Sequence, residues 1–593
     1  MPSPPREPLV IVVGGDQLAL STARELTELP GQRVVVLWQA DADFERAVEE
    51  AGAALITGRP DSRDGLEAAG VREATTILAL SHNDQLNLQT ALRARDANPE
   101  IRIVLRQFNR TLAAKIEQNL ENCSVLSLAW HSAATYAAAA LDPGCFRGLQ
   151  FPEPDGPLTG FTMRLADDAQ VAGRRLEEAE CQLGARVIAV DWNTELGPDH
   201  VIAAGSRLVL YGSFERLLAS APRQLPPEQA RGSLLGRVRG WWRREKSRVN
   251  RIDPIFGRLA SVAVLLIGLG VWYFHNAFAA RGVDWLAAMF FVLTTMTTNG
   301  YTSDLTPDLQ HPLDIVGAML LMLSGSVISG IFIAFAASRL TRAQWVRMQG
   351  LRPIKRHGHI VVCGAGSIGT GVIDLLLQFD KPLVVVEQRP DASLVESARE
   401  RDFDLLTGDA SRDDTLDLCN LRAAHSLIAL TNVDTLNLEI ALGARVRNPD
   451  MPIVLRIAEA TLAASIARHF QFDTTFSVAA LAGPVFAGLS RVEGARGRIA
   501  FDGQEFGVVE LTLKDDTRSR LPSALIPLAA VTEDGAFSLI RDVSELRSGT
   551  RVLMLVPLAS VRQNPEAFLV AANALAAAER AAAQTASSHQ IGV

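Results

Sequence analysis

The sequence predicts two copies of one α/β domain, each a parallel sheet covered by helices, flanking an all-α membrane hairpin with a re-entrant loop. Three observations carry this. One pattern is written twice at a constant offset: Leu9-Val10-Ile11-Val12-Val13-Gly14 against His359-Ile360-Val361-Val362-Cys363-Gly364, then Asp84 to Leu88 against Asp434 to Leu438. Ile103-Val104-Leu105-Arg106 matches Ile453-Val454-Leu455-Arg456 at the same 350-residue spacing, so the chain contains a duplication rather than a shared composition. Two apolar stretches lie between the copies, and within each copy short apolar strands alternate with helical patterns, the signature of a parallel sheet.

At 593 residues the chain needs several cores. A net charge of −8 gives no signature of a nucleic-acid partner. Five cysteines, Cys123, Cys145, Cys181, Cys363 and Cys419, are scattered without a CxxC, which supports neither a disulfide framework nor a metal site. Met1 to Pro8 lacks an apolar signal-peptide core.

The first apolar stretch, Leu259 to Phe274, extends to about Ala280, and the second, Ile315 to Ala337, carries no charge. A bilayer core needs about 20 helical residues, and both stretches meet that length. Arginines and Lys246 crowd the outer flanks, from Arg237 to Arg258 and from Arg339 to Arg356. The segment between has Arg281 against Asp284, Asp304, Asp308 and Asp314. The positive-inside rule then places both flanks, both copies and both termini in the cytoplasm, and the chain in the inner (plasma) membrane as a multi-pass protein. Trp241, Trp242 and Trp345 mark either the headgroup level or ordinary packing.

Between the helices, Trp285 to Leu293 is apolar but too short to span, and a polar, glycine-containing run from Thr294 to Asp304 follows. Non-helical backbone is tolerated at membrane depth only where it lines a cavity or is buried in protein. A pore helix and a filter are the expected reading. Met296-Thr297-Thr298-Asn299-Gly300-Tyr301-Thr302-Ser303-Asp304 resembles the filter of the potassium-channel superfamily, with Asn299 and Thr302 departing from its usual Val and second Gly. It is also similar to the single-glycine pore loops of Trk/Ktr uptake subunits. The resemblance implies a selectivity filter at Thr298, Asn299, Gly300, Tyr301 and Thr302, with potassium as the permeating cation and no other metal site. One hairpin cannot enclose a pore, which closed symmetry solves, and the resemblance implies a homotetramer surrounded by membrane lipid. Gly325 and Gly330 in the second helix read either as close-packing positions or as a gating hinge.

In the second copy, Ile360 to Cys363 is a strand, and Gly364-Ala365-Gly366-Ser367-Ile368-Gly369 opens a helix expected to reach about Gln378. The next strand ends at Glu387. This is the Rossmann fingerprint in its required context: a glycine for the turn, one for approach of a pyrophosphate, one for helix packing, and an acid for the ribose. The first copy departs from it. Asp16 stands for Gly366, Leu37 for Glu387 and Arg59 for Asp409, three changes at positions that would face a ligand.

Together with the hairpin, the residues Gly364, Gly366, Gly369, Glu387, Gly408-Asp409-Ala410 and Asn432-Val433-Asp434 resemble the RCK family, also called KTN or TrkA-N, with TrkA-C-like pieces after each copy. The resemblance implies α/β Rossmann-like RCK domains in two copies, flanking an all-α module of two transmembrane helices. It implies a site for an adenine nucleotide, NAD(H) or ATP/ADP, built from Gly364, Gly366, Ser367, Ile368, Gly369, Glu387, Asp409 and Ala410. Expected boundaries are 1–145 and 146–225 for the first RCK-N and RCK-C pieces, 226–256 for a basic linker and 257–340 for the pore module. A linker at 341–356 leads to the second pair, 357–480 and 481–562, with an Ala-rich helix and tail at 563–593.

The expected function is a ligand-gated tetrameric cation channel for potassium, not an enzyme, with eight RCK domains in a cytoplasmic ring. Alternatives are a non-selective cation channel, a non-conducting regulatory subunit of a potassium transport system, and a membrane-anchored NAD-dependent oxidoreductase.

Overall fold

The computed structural model describes residues 7–29, 31–39, 41–108, 110–152, 156–220, 254–278, 283–297, 312–348, 353–379, 381–470, 472, 474–492, 494–513, 525–532, 535–543 and 546–559. The proposed filter Thr298 to Thr302, residues 226–253 of the expected basic linker 226–256, Trp241, Trp242 and the tail 563–593 lie outside the described residues. The chain forms two units, one made of both copies (Met1–Pro222 with Arg352–Val593) and one of the intervening segment, Arg223–Leu351.

In the first copy the strands are β1 (Leu9–Val13), β2 (Arg33–Trp38), β3 (Ala54–Thr57), β4 (Ala74–Ala79), β5 (Arg102–Arg106) and β6 (Cys123–Leu126). They form one parallel sheet in the order β3-β2-β1-β4-β5-β6. All five residues of β1 are buried, as expected of a central strand covered on both faces. The second copy repeats this order with Ile360–Cys363 at its centre, flanked by Leu383–Glu387 and Ser426–Ala429. The sheet order reverses at the central strand, so each glycine loop sits at the topological switch point where such folds bind ligands.

The two copies pack against each other crosswise. The helix after the first glycine loop, Gln17–Thr27, lies on Val478–Leu489 of the second copy. The helix after the second loop, Ser367–Leu376, lies on Leu128–Leu141 of the first. Ala23, Leu26, Val485 and Phe486 belong to the same buried core as Ala133, Ala137, Val372 and Leu375. The equivalent positions Ser21 and Gly371 face Gly483 and Ala133, and a Cβ on Gly483 would stand 2.4 Å from the Ser21 hydroxyl. The Ser367–Leu376 helix ends two residues before the expected Gln378.

Each copy continues into a small antiparallel sheet. The first has four strands, ordered Cys145–Gln150, Leu158–Leu165, Arg207–Ser213 and Arg186–Val190. The second has five, with Gln504–Thr512 and Arg551–Pro557 at its centre. Their inner faces share one core in which Phe151, Phe161 and Tyr211 meet Phe501, Phe506 and Leu553.

The intervening unit contains helices Pro254–Ala277, Trp285–Met296 and Pro312–Met348. Phe274, Phe291, Val292, Met296 and Leu321 form their common core. Among the described residues, Pro312–Ile331 is long and apolar enough to cross a membrane, whereas the apolar part of the first helix, Ser261–Ala277, is shorter. The short helix runs three residues beyond the expected Leu293. The hydroxyls of Thr294, Thr295 and Thr297 donate to the carbonyls of Phe290, Phe291 and Leu293, so the polar residues close on the helix's own backbone. Asp284 caps its start by accepting from Ala287 N at 2.8 Å.

Candidate functional site

The glycine loop of the second copy has the geometry its sequence calls for. Gly364 has φ +98°, which glycine adopts without steric cost. Gly369 is pressed onto the loop, since a Cβ there would lie 2.1 Å from Gly364 O. Gly366 is different: a Cβ would meet nothing within 4 Å, so the space above it is open. Gly366 is also the N-cap of Ser367–Leu376 and provides no side chain to cap it. The first N–H groups of that helix, at Ser367, Ile368 and Gly369, are left to a ligand or water, which is the usual arrangement for an anion site. Ile368 turns its side chain into the core, leaving only its backbone for such a role.

Glu387 holds the loop. One carboxylate oxygen accepts from Ala365 N at 2.8 Å and the other from Arg389 N at 3.0 Å. Gly408 N donates to Glu387 O at 3.0 Å, which sets the next loop beside it. There Asp409 accepts from the Ser411 N–H and hydroxyl at 3.0 and 2.8 Å. Ala410 is buried. The glycine loop, Glu387 and Asp409 are thus gathered at one end of the sheet.

The first copy fills the same place from within. Asp16 caps its helix by accepting from Ala19 N at 3.1 Å, and its second oxygen receives Arg106 Nη1 at 2.7 Å. The Trp38 indole covers the neighbouring loop residue, so that a Cβ on Gly15 would fall 1.9 Å from Trp38 Nε1. Arg59, where the second copy has Asp409, pairs with Asp61 at 2.8 Å.

Arg106 and its counterpart Arg456 are the charged residues beside the loops that the motif reading passed over. Both are anchored alike, Arg106 to Leu80 O at 3.0 Å and Arg456 to Leu430 O at 3.3 Å. With no carboxylate at position 366, Arg456 turns to Asn432 Oδ1 at 2.7 Å. The signal lay in the repeat itself, which places an arginine at the end of the first copy's fifth strand, Arg102–Arg106, and one residue before the end of the second's, Ile453–Ile457.

A second polar cluster lies between the copies. A cavity of about 120 Å³ is lined by Glu25, Glu28, Arg498 and apolar residues including Val492 and Val508. Arg498 serves three carboxylates: Glu25 at 3.0 Å, Glu28 at 3.3 Å and Glu505 at 3.5 Å. One guanidinium cannot neutralise three acids. Burial outweighs its attraction at Glu25 and pushes that carboxyl up to about 7.

In the intervening unit, Gly325 packs on the C-terminal end of the short helix, where a Cβ would stand 2.3 Å from Met296 O and 2.7 Å from Met296 Cα. Gly330 meets nothing within 4 Å, and Pro312–Met348 runs unbroken through both.

Comparison with known proteins identifies the domains of the chain. The family model of the TrkA-N domain matches residues 10–124 and 360–478, and that of an ion channel domain matches residues 254–342. "Probable potassium channel protein 2" of Methanocaldococcus jannaschii is 28% identical over 209 residues, covering 34% of this chain and 60% of its own length. "Potassium channel protein 1" of the same organism is 28% identical over 183 residues, 30% of this chain and 54% of its own. The chain therefore spans under two thirds of either relative. The solved structure "GsuK channel bound to NAD" aligns over 96% of this chain and 80% of its own, at 15% identity and a TM-score of 0.47. The chain is built of two TrkA-N domains, one on each side of an ion channel domain in the sequence.

Proposed function

We propose that this chain is a ligand-gated, tetrameric cation channel for potassium, in which the second TrkA-N domain takes an adenine nucleotide and the first does not. The observation that carries the reading is the contrast at one position. Gly366 leaves open space over an uncapped helix end, while Asp16 fills that space with a carboxylate already paired to Arg106.

In the second copy the N–H groups of Ser367, Ile368 and Gly369 donate to phosphate oxygens, and Arg456 supplies the positive charge its counterpart spends on Asp16. Glu387 keeps lone pairs free for ribose hydroxyls, and Asp409 lies toward the adenine end. The nucleotide is NAD(H), ATP or ADP, and it shifts gating only by its preference for one arrangement of the ring. Thr298 to Thr302 form the filter, and the seat of Met296 on Gly325 holds the pore helix. The chain lies in the plasma membrane with both termini cytoplasmic, and four chains contribute eight RCK domains.

Potassium flux into liposomes containing the purified chain, measured with and without NAD(H), ATP and ADP, tests this. Flux that responds to one of them supports the reading. Nucleotide binding without flux under any condition points to the regulatory subunit, and hydride transfer to the oxidoreductase.

A further inference from the structure

The contact between the copies is symmetric at its edges and asymmetric at its centre. At the edges the bonds come in equivalent pairs. Thr76 Oγ1 donates to Ser490 O at 3.3 Å, and its counterpart Ser426 Oγ donates to Ala140 O at 2.8 Å. At the centre stands Arg147, which is 3% exposed. Its guanidinium donates to Leu481 O at 3.0 Å and Arg496 O at 3.2 Å, and meets His131 Nε2 at 3.0 Å. Arginine only donates, so this histidine nitrogen accepts.

The repeat spacing makes Gly497 the counterpart of Arg147, and both strands carry the same register shift there. A Cβ on Gly497 would lie 2.3 Å from Arg147 Nη2. The counterpart of His131 is Leu481, the residue whose carbonyl Arg147 binds. A side chain that packs on its own counterpart sits on the pseudo-twofold axis, where only one copy of it fits.

We propose that this surface selects the unlike copy, with Arg147 as the discriminating residue. Two first copies would bring two buried guanidinium groups to one point, where like charges repel in a low-dielectric site. Two second copies would set Gly497 against Gly497 and leave a hole where the guanidinium stands. The flanking contacts point the same way. Ser21 meets Gly483 and Ala133 meets Gly371, whereas a pair of first copies would set Ser21 on Ala133 and a pair of second copies Gly371 on Gly483. Specificity here comes from rejecting the wrong partner as well as fitting the right one. In an assembly of several chains, a first copy accepts a second copy and refuses another first copy.

Disulfide trapping in the full-length chain tests this, in a Cys181→Ser background because Cys181 is exposed. Gly371→Cys with Ala133→Cys reports unlike pairing, and Ser21→Cys with Ala133→Cys reports pairing of two first copies as a covalent chain dimer. With Arg147 present, the first reporter should close and the second should not. Arg147→Met should let the second reporter form dimers and lower the melting temperature of the two-copy unit. Arg147→Lys, which keeps the charge, should still refuse them. Closure of the first reporter in each variant shows that the fold survives. Like-copy dimers with Arg147 intact would overturn the proposal. So would their absence in Arg147→Met, because connectivity alone would then account for the pairing.

Discussion

Gly366→Asp in the second copy recreates the arrangement at Asp16 and separates binding from stability. A Cβ at Gly366 meets nothing within 4 Å, so the side chain fits without displacing neighbours. Its carboxylate would cap Ser367–Leu376 as Asp16 caps Gln17–Thr27, and aspartate is better than glycine at an N-cap by a few tenths of a kcal/mol. Arg456, anchored to Leu430 O like Arg106 to Leu80 O, is placed to pair with it. The melting temperature should therefore hold or rise. Binding should fall, because the carboxylate takes the helix N–H groups and Arg456 from the phosphates and repels what remains. Hydrogen bonds to charged groups contribute about 1.5–3 kcal/mol each, and about 1.4 kcal/mol is tenfold in Kd, so loss of one weakens binding roughly tenfold to a hundredfold. Calorimetry on the detergent-solubilised full chain with NAD(H), ATP and ADP reads this. The full chain is required because isolated copies would expose the helices that bury each other. An unchanged Kd in a folded variant would refute the assignment of the site, and strong binding that survives Gly366→Asp would move it to the first copy.

Four further outcomes are expected. Gly325→Ala, whose Cβ would strike the Met296 backbone at 2.3 Å, should abolish flux. Gly330→Ala should preserve assembly and alter opening only if Gly330 bends; single-channel recording of both variants distinguishes a seat from a hinge. Asn299→Val with Thr302→Gly should raise the potassium-over-sodium permeability ratio, and an unchanged ratio would place selectivity elsewhere. Glu25, raised by burial to about 7 from an ordinary 4.5, stabilises the fold fully below about 4.5, and that contribution is lost as pH rises through about 7. His425 and His359, depressed by burial, act in the opposite sense, so the readout is the difference between Glu25→Gln and the parent chain. The variant should show a shallower fall in melting temperature across that window, and parallel curves would contradict it.

The alternation of strands and helices, both glycine loops and the departure of the first loop from the fingerprint were legible because each is local: a run of apolar residues, a glycine at a fixed step, a charge where none fits. Glu387 stood out for the same reason, at the end of its strand. The pairing of Asp16 with Arg106 was not legible, since ninety residues separate them and only the sheet order brings the fifth strand beside the first loop. The cover of Trp38 over Gly15 needs a rotamer, not a pattern. The crosswise contact was hidden because a helix with one apolar face reads alike whether it lies on its own sheet or on its twin.

The crosswise contact also decides where a signal is first felt. The helix that begins at Gly366 rests on Leu128–Leu141, which belongs to the copy whose own pocket is filled by Asp16 and Arg106. Under the proposed function, detection and reception would be divided between the halves of the chain: the second copy takes the small molecule, and the first, whose pocket is filled, receives the movement through the packed helices. A domain in that second role is free to give up chemistry and keep shape. Its task is to stay put, and a built-in carboxylate locked to an arginine suits it to that, as a fixed stop against which a moving part can push.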